Sequence, residues 1–183
     1  GGESTRPGAT LVTIEKEKKR TLNVISKIKK YTVSIDTRKS DVMLTAVKYG
    51  AKIINDVSAM DFDPKTLDVV SKLKKPNQLS KRNFSRNNII LDPGIGFGKN
   101  LDHNLNLISN IGIFHSLGCP IMLGPSRKSF IGKVMKEKDS KDRLGGTIAA
   151  VITGYNQGVQ CFRVHDIKET FEALTIQEAL NSI

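Results

Sequence analysis

Cysteine is scarce in this chain of 183 residues, with two thiols at Cys119 and Cys161. They form no C-x-x-C pair and no metal-spaced cluster, which sets aside a disulfide scaffold or a zinc module and makes reduced intracellular thiols the default. Long apolar runs are missing as well. No stretch approaches the ~20 residues of a membrane span, and the opening GGESTRPG has no signal-peptide core. A pervasive charge of one sign is also lacking. The chain carries 29 Lys+Arg against 18 Asp+Glu, a net +11, yet the excess is local. Residues 16–30 hold seven basic side chains and one acid, residues 71–86 six basic and no acid, and the remainder is close to neutral. Phe84 is the one aromatic in either segment, so the interleaving of cations and rings that grips single strands is absent. Neither nucleic acid nor a membrane is expected as a partner. The 38% hydrophobic content suffices for one globular domain with a core.

What is present is alternation. Runs rich in β-branched and aliphatic residues predict strands at 31–36, 52–57, 88–91, 120–123 and 159–164. Helical spacing predicts helices at 14–30, 41–49, 64–73, 102–114, 143–157 and 167–180, with Leu67, Val69 and Val70 inward in the third. Such alternation gives a parallel α/β sheet, either open and doubly wound or closed as a (β/α)8 barrel. Asp36, Asn55, Asp92, Ser126 and His165 fall at or just past the ends of different strands. Barrel enzymes gather their chemistry on that rim, which favours the TIM barrel. Five strands and a length below the typical ~250 residues make the barrel apparently incomplete in this sequence, with the first strand and one internal βα unit not seen. Residues 1–183 are expected to be a single, partial domain. The polar basic stretch KKPNQLSKRNFSRNN at 74–88 reads as a loop, or as a junction over the missing unit.

Six constellations carry chemistry. GGESTRPGA at 1–9 combines glycines, which let backbone approach a ligand, with the donors Thr5 and Arg6; alone it would pass for a flexible segment. In SIDT at 34–37, Ser34 and Asp36 share one strand face; the carboxylate could meet a polarised N–H edge or a developing cation, or could equally cap a helix. Asn55 and Asp56 point to opposite faces, and an amide suits a heterocycle with mixed edges, although an Asn-Asp turn is the plainer explanation. LDPGIGFGK at 91–99 is less generic: Asp92 could hold an N–H/NH2 edge and Phe97 could cover a ring, while the G-x-G-x-x-G dinucleotide spacing is not met. GPSRKS at 124–129 places Arg127 and Lys128 after a strand, a candidate for anion binding or a solvated turn. In RVHD at 163–166, Arg163 and His165 share a face and could grip a pyrophosphate together.

The set resembles the dihydropteroate synthase family of pterin-binding barrels: GGESTRPGA, SIDT, INDVSA, LDPGIGFGK, GPSRKSFIG and RVHD occur in that family's order and cover most of the chain. The resemblance implies a transferase of folate biosynthesis that condenses 6-hydroxymethyl-7,8-dihydropterin diphosphate with 4-aminobenzoate. By the same resemblance, Asp36, Asp92 and Lys128 are catalytic, and the pterin lies against Asp36, Asn55, Asp92, Gly124 and Lys128. Thr5, Arg163 and His165 would hold the diphosphate; Arg6, Pro7, Phe97, Ser126 and Lys128 would surround the aminobenzoate, where sulfonamides compete. It further implies Mg2+, whose expected asparagine ligand belongs to the strand not seen, together with a homodimer, a cytoplasmic setting and possible fusion to other folate-pathway domains. Two alternatives stay open, a catalytically inactive pterin-binding domain and a pterin-dependent methyltransferase domain. The anion-binding elements speak against the latter, because no diphosphate is handled there.

Overall fold

The computed structural model describes residues 2–4, 8–73, 86–137 and 139–183. The chain divides into two compact units, Gly1–Asn83 and Phe84–Ile183. Most of the 74–88 stretch lies outside the described residues.

In the first unit, α1 (Ile14–Lys27) starts where the Thr13 hydroxyl accepts the Lys16 N–H. It ends three residues short of the predicted 14–30. The stripe it buries is Glu17, Thr21 and Ile25, at i, i+4 and i+8. Of the apolar residues along this stretch of the sequence, Ile14, Leu22, Ile25 and Ile28, Ile25 is in the core, whereas Ile14 and Leu22 are partly buried beside it. Strand β1 (Ser34–Asp36) pairs in parallel with β2 (Ile53–Asn55), with Asp36 opposite Asn55. Ile35 and Ile54 turn towards a core of Ile25, Val42, Ala46 and Ala51, so Ser34 and Asp36 take the other face. Between the strands runs α2 (Ser40–Tyr49), begun by the Asp63 carboxylate, which accepts from the Ser40 N–H (2.9 Å) and hydroxyl (2.7 Å). Gly50 closes it at φ 116°, a left-handed turn open to glycine. The next helix, α3 (Thr66–Lys72), corrects an expectation: Thr66 is buried and Leu67 is 57% exposed. Two turns are too few for apolar spacing to set a helix's phase.

In the second unit, Leu91 bridges Ile121, and β3 (Met122–Leu123) pairs in parallel with β4 (Cys161–Phe162). The Arg163 N–H continues the ladder to the Leu123 carbonyl. Ile121, Leu123 and Phe162 face a core with Ile95, Ile108, Ile111, Phe130, Ile131, Ala150 and Val159. Helix α4 (Leu101–Ser109) was predicted to run to residue 114, but it breaks at Asn110 into a 3-10 turn, Ile111–Leu117. Gln157 explains the break. Its amide donates to the Ile108 carbonyl (2.9 Å) and accepts from the Gly112 N–H (3.2 Å), taking both partners of the helical bond that would have joined them. The predicted strand at 88–91 is likewise reduced to the Leu91 bridge, after a 3-10 turn at Arg86–Asn88. The sequence reading gave no helix to α5 (Ser129–Met135). Helix α6 (Leu144–Asn156) lies close on β3, since a Cβ at Gly154 would sit 2.6 Å from Leu123 Cδ2. Helix α7 (Ile167–Asn181) packs on α6 and buries Thr170, but leaves Ile167, Phe171, Ile176 and Leu180 more than half exposed. Among the described residues, no helix is long and apolar enough to cross a membrane.

Candidate functional site

In the first unit, Asp36 and Asn55 end adjacent parallel strands in register and share the face turned away from the helices. The Thr37 N–H bonds to the Asn55 carbonyl at 3.0 Å and holds the two exits together. Asp36 is exposed and Asn55 half-buried. Asp56 is spent on a turn, accepting from the Ser58 N–H (2.8 Å), the Ser58 hydroxyl (2.6 Å) and the Met60 N–H (3.0 Å). That turn includes Ala59 and Met60 at φ 53° and 69°, a strained pair that the Asp56 carboxylate braces.

Thr5, Arg6 and Pro7 lie outside the described residues. The neighbouring Glu3 is anchored by a network that sequence reasoning missed. Its carboxylate accepts from Arg38 Nε (2.9 Å) and Nη2 (2.6 Å), Lys39 Nζ (2.6 Å) and the Val12 N–H (2.9 Å). Lys39 Nζ also donates to Glu17 Oε2 at 2.8 Å and the Val12 carbonyl at 2.6 Å. Burial of Glu3 opposes its ionisation, but the bonds from Lys39, Val12 and Arg38 outweigh that and hold its carboxyl at about 2. For Lys39, burial pulls downward, and the bonds to Glu17 and Glu3 raise it above the ordinary lysine value. The sequence signal was Glu17 itself, the one acid among the seven basic residues of 16–30.

In the second unit, Asp92, Gly124 and Arg163 each directly follow one of three neighbouring strand positions, on the face opposite Leu91, Leu123 and Phe162. Asp92 is exposed, and its Oδ1 accepts the Gly94 N–H at 2.8 Å. The following loop is fixed from beneath by Asn104, 3% exposed, whose Oδ1 takes the Gly96 N–H at 2.6 Å and whose Nδ2 donates to the Asn100 carbonyl at 2.6 Å. Lys99 Nζ ties the Gly94 and Phe97 carbonyls at 3.0 and 3.1 Å. On this platform lies Lys128, with Nζ 4.0 Å from the centroid of the Phe97 ring. Burial lowers the Lys128 pKa and Arg163 adds to that, while Asp92 pulls the other way; the net shift is downward.

The closeness of loop and lysine depends on Gly96. Its φ is +80°, and a Cβ there would lie 2.8 Å from Lys128 Cδ. Gly96→Ala is expected to cost about 1–2 kcal/mol for the left-handed backbone alone, and to push Lys128 off Phe97. A lowered denaturation midpoint together with shifted Phe97 ring resonances checks this; an equally stable variant with unchanged ring resonances would show that the contact does not depend on Gly96.

The basic pair of GPSRKS divides its work. Arg127 forks onto Asp166, from Nε at 3.2 Å and from Nη2, and its N–H bonds to the Thr147 hydroxyl at 3.2 Å. This pairing raises the Arg127 pKa and lowers that of Asp166. Arg127 thus ties the turn after β3 to the exit of β4, while Lys128 lies over the Phe97 ring instead. Ser126, 4% exposed, turns its hydroxyl to His165: Oγ lies 3.0 Å from Nδ1 and accepts the His165 N–H at 3.2 Å. His165 and Arg163 are exposed.

The family model described as "Pterin binding enzyme" matches residues 1–77 and 73–165. The chain belongs to this family. Dihydropteroate synthase of Escherichia coli K12 is 34% identical over 215 aligned residues, spanning 98% of this chain and 76% of the relative. That alignment exceeds the 183 residues of the chain, so the relative has positions with no counterpart here. The Pneumocystis carinii folic acid synthesis protein is 34% identical over 98% of this chain but only 30% of its own length. Among solved structures, Xanthomonas albilineans dihydropteroate synthase with 4-aminobenzoic acid superimposes with a TM-score of 0.87 at 32% identity, covering all of this chain and 78% of that one. The fold class is the (β/α)8 barrel of these pterin-binding enzymes, present here in part.

Proposed function

We propose that the protein is a dihydropteroate synthase, a transferase of folate biosynthesis joining 6-hydroxymethyl-7,8-dihydropterin diphosphate to 4-aminobenzoate. The observation that carries this reading is the second unit's row of strand exits, Asp92, Gly124 and Arg163, with Lys128 laid over Phe97. A carboxylate, a ring and two cations on one rim fit a cationic heterocycle leaving a diphosphate. In the reaction, the bond from the pterin methylene to the diphosphate oxygen breaks with its electron pair going to diphosphate. The arylamine nitrogen then bonds to the methylene and releases a proton. Asp92, and Asp36 with Asn55 in the first unit, are assigned to the pterin together with Gly124 and Lys128, since fixed carboxylates stabilise charge where it develops. Arg163 and His165, with Thr5, are assigned to the diphosphate; Arg6, Pro7, Phe97 and Ser126 are assigned to the aminobenzoate side, with the Ser126 hydroxyl at the boundary between the two because it also bonds to His165.

Among the described residues, no group of three His, Cys, Asp or Glu side chains is arranged to hold a metal ion. The described residues therefore offer no protein cage for Mg2+, and a proposed ion would be held mainly by the oxygens of the diphosphate, whose charge it would offset. The reading extends to sulfonamide competition for the aminobenzoate position and to a cytoplasmic setting. Fusion to other folate-pathway domains is supported by the P. carinii relative, whose match fills under a third of its length. A homodimer is supported by the apolar residues that α7 leaves exposed. The family match divided at residues 73–77 supports reading 74–88 as a junction over a βα unit that relatives carry. Incubation with both substrates tests the function. The expected result is equimolar 7,8-dihydropteroate and diphosphate; no product, with neither substrate binding in calorimetry, overturns it, and pterin binding without turnover would support the inactive-domain reading.

A further inference from the structure

His165 presents a choice that the hydrogen bonds around it resolve. A neutral imidazole carries its proton on Nδ1 or on Nε2, and which nitrogen faces a ligand as a donor follows from the partner of the other. Here Nδ1 lies 3.0 Å from the Ser126 hydroxyl oxygen. The same oxygen accepts the His165 backbone N–H at 3.2 Å, a bond whose direction is fixed because an amide nitrogen can only donate. Ser126 is 4% exposed, so its own hydroxyl proton is out of reach of bulk water.

That proton needs an acceptor, since a buried hydroxyl hydrogen without one costs about 1–3 kcal/mol. Among the described residues, the Ser126 hydroxyl meets one acceptor, the Nδ1 lone pair. We infer that Ser126 is a positioning residue that donates to Nδ1 and thereby fixes His165 as the Nε2–H tautomer, with Nε2–H directed outward as a hydrogen-bond donor for an anionic phosphate oxygen. The alternative, a proton on Nδ1, would give the hydroxyl oxygen two donors and leave its hydrogen stranded. It would also turn the lone pair of Nε2 towards the anion. Ser126 binds both the ring and the backbone of His165, so it sets ring orientation as well as protonation. Arg127, next in sequence, reinforces the joint by its fork onto Asp166, next after His165. The two turns are stapled at adjacent residues.

This inference rests on the assignment of the diphosphate to His165 made above, but its first test does not use the substrates. Nitrogen-15 spectra of the imidazoles at about pH 8, where an ordinary histidine is neutral, report the protonated nitrogen directly, with the His165 signals identified by their loss in His165→Gln. The expected result is a single Nε2–H tautomer whose Nδ1 shows the shift of a hydrogen-bond acceptor. In Ser126→Ala the Nδ1 signal moves to that of an unbonded ring, and the Kd for inorganic diphosphate, read by calorimetry, weakens about tenfold, the loss of one charge-assisted hydrogen bond. Ser126→Thr keeps the hydroxyl and restores both readings. A wild-type ring protonated on Nδ1 overturns the inference, as does a Ser126→Ala spectrum and diphosphate Kd matching wild type. The expected spectra in a protein that makes no dihydropteroate would count against the proposed function and leave the tautomer standing.

Discussion

Asp92→Asn is expected to lower kcat/KM by roughly 10^2–10^3-fold, the scale for removing one preorganised charge from a developing transition state, with the fold unchanged. The substitution is selective because asparagine retains an oxygen for the Gly94 N–H, which Asp92 Oδ1 now accepts at 2.8 Å. The loop keeps its turn and loses only the carboxylate charge. A second consequence concerns Lys128. Burial and Arg163 both lower its pKa, and Asp92 is the group that raises it. Without that carboxylate, Lys128 surrenders its proton at lower pH. Residual activity in Asp92→Asn should therefore fade on the alkaline side earlier than in the wild type, since any step that needs the ammonium is present below its pKa and lost above. Steady-state kinetics across pH check both effects, with Asp56→Asn as the comparison: its carboxylate braces a turn, so it should lower stability more than chemistry. Near-wild-type kcat/KM in Asp92→Asn would mean that another group holds the pterin edge.

The residues that ended strands were readable because a strand's period of two fixes which side chains share a face. Asp36, Asn55, Asp92 and Arg163 required only the position of a short apolar run and the parity of the residue after it. Boundaries were less readable. The run at 88–91 looks like a strand, yet only Leu91 enters a ladder, and the helix predicted through residue 114 stops at Asn110 because Gln157, distant in sequence, takes its hydrogen bonds. Leu67 failed for a related reason: apolarity predicts burial only when a helix is long enough for packing to fix its phase. The division of labour in Ser126-Arg127-Lys128 was hidden too. Sequence marks three polar residues after a strand, while the partners that set their roles, His165, Asp166 and Phe97, come from other loops.

The least readable feature should also have the largest effect on stability. Lys39→Met is expected to destabilise the first unit by about 3 kcal/mol, the lower end for breaking a buried ion pair by removing one partner, because the Lys39 side chain retains 11% exposure. The lysine faces two carboxylates. Glu3 would keep Arg38 and the Val12 N–H, but Glu17, with a side chain 1% exposed and no partner for Oε1 among the described residues, would lose the cation 2.8 Å from Oε2. The pH dependence has a definite sign. In the wild type, the Glu3 carboxyl lies at about 2, below its ordinary 4.5; its contribution is complete above 4.5 and disappears as pH falls towards 2. In Lys39→Met the carboxyl loses its strongest partner and titrates higher, so the acid limb of stability moves up in pH. Denaturant unfolding followed from pH 7 to pH 2 measures both, and Glu17→Gln/Lys39→Met supplies the cycle: with no buried anion left unpaired, the double variant should recover part of the loss. A single variant within about 0.5 kcal/mol of wild type would place these charges among surface pairs of negligible worth, and the anchoring of Glu3 would then depend on Arg38 and Val12 alone.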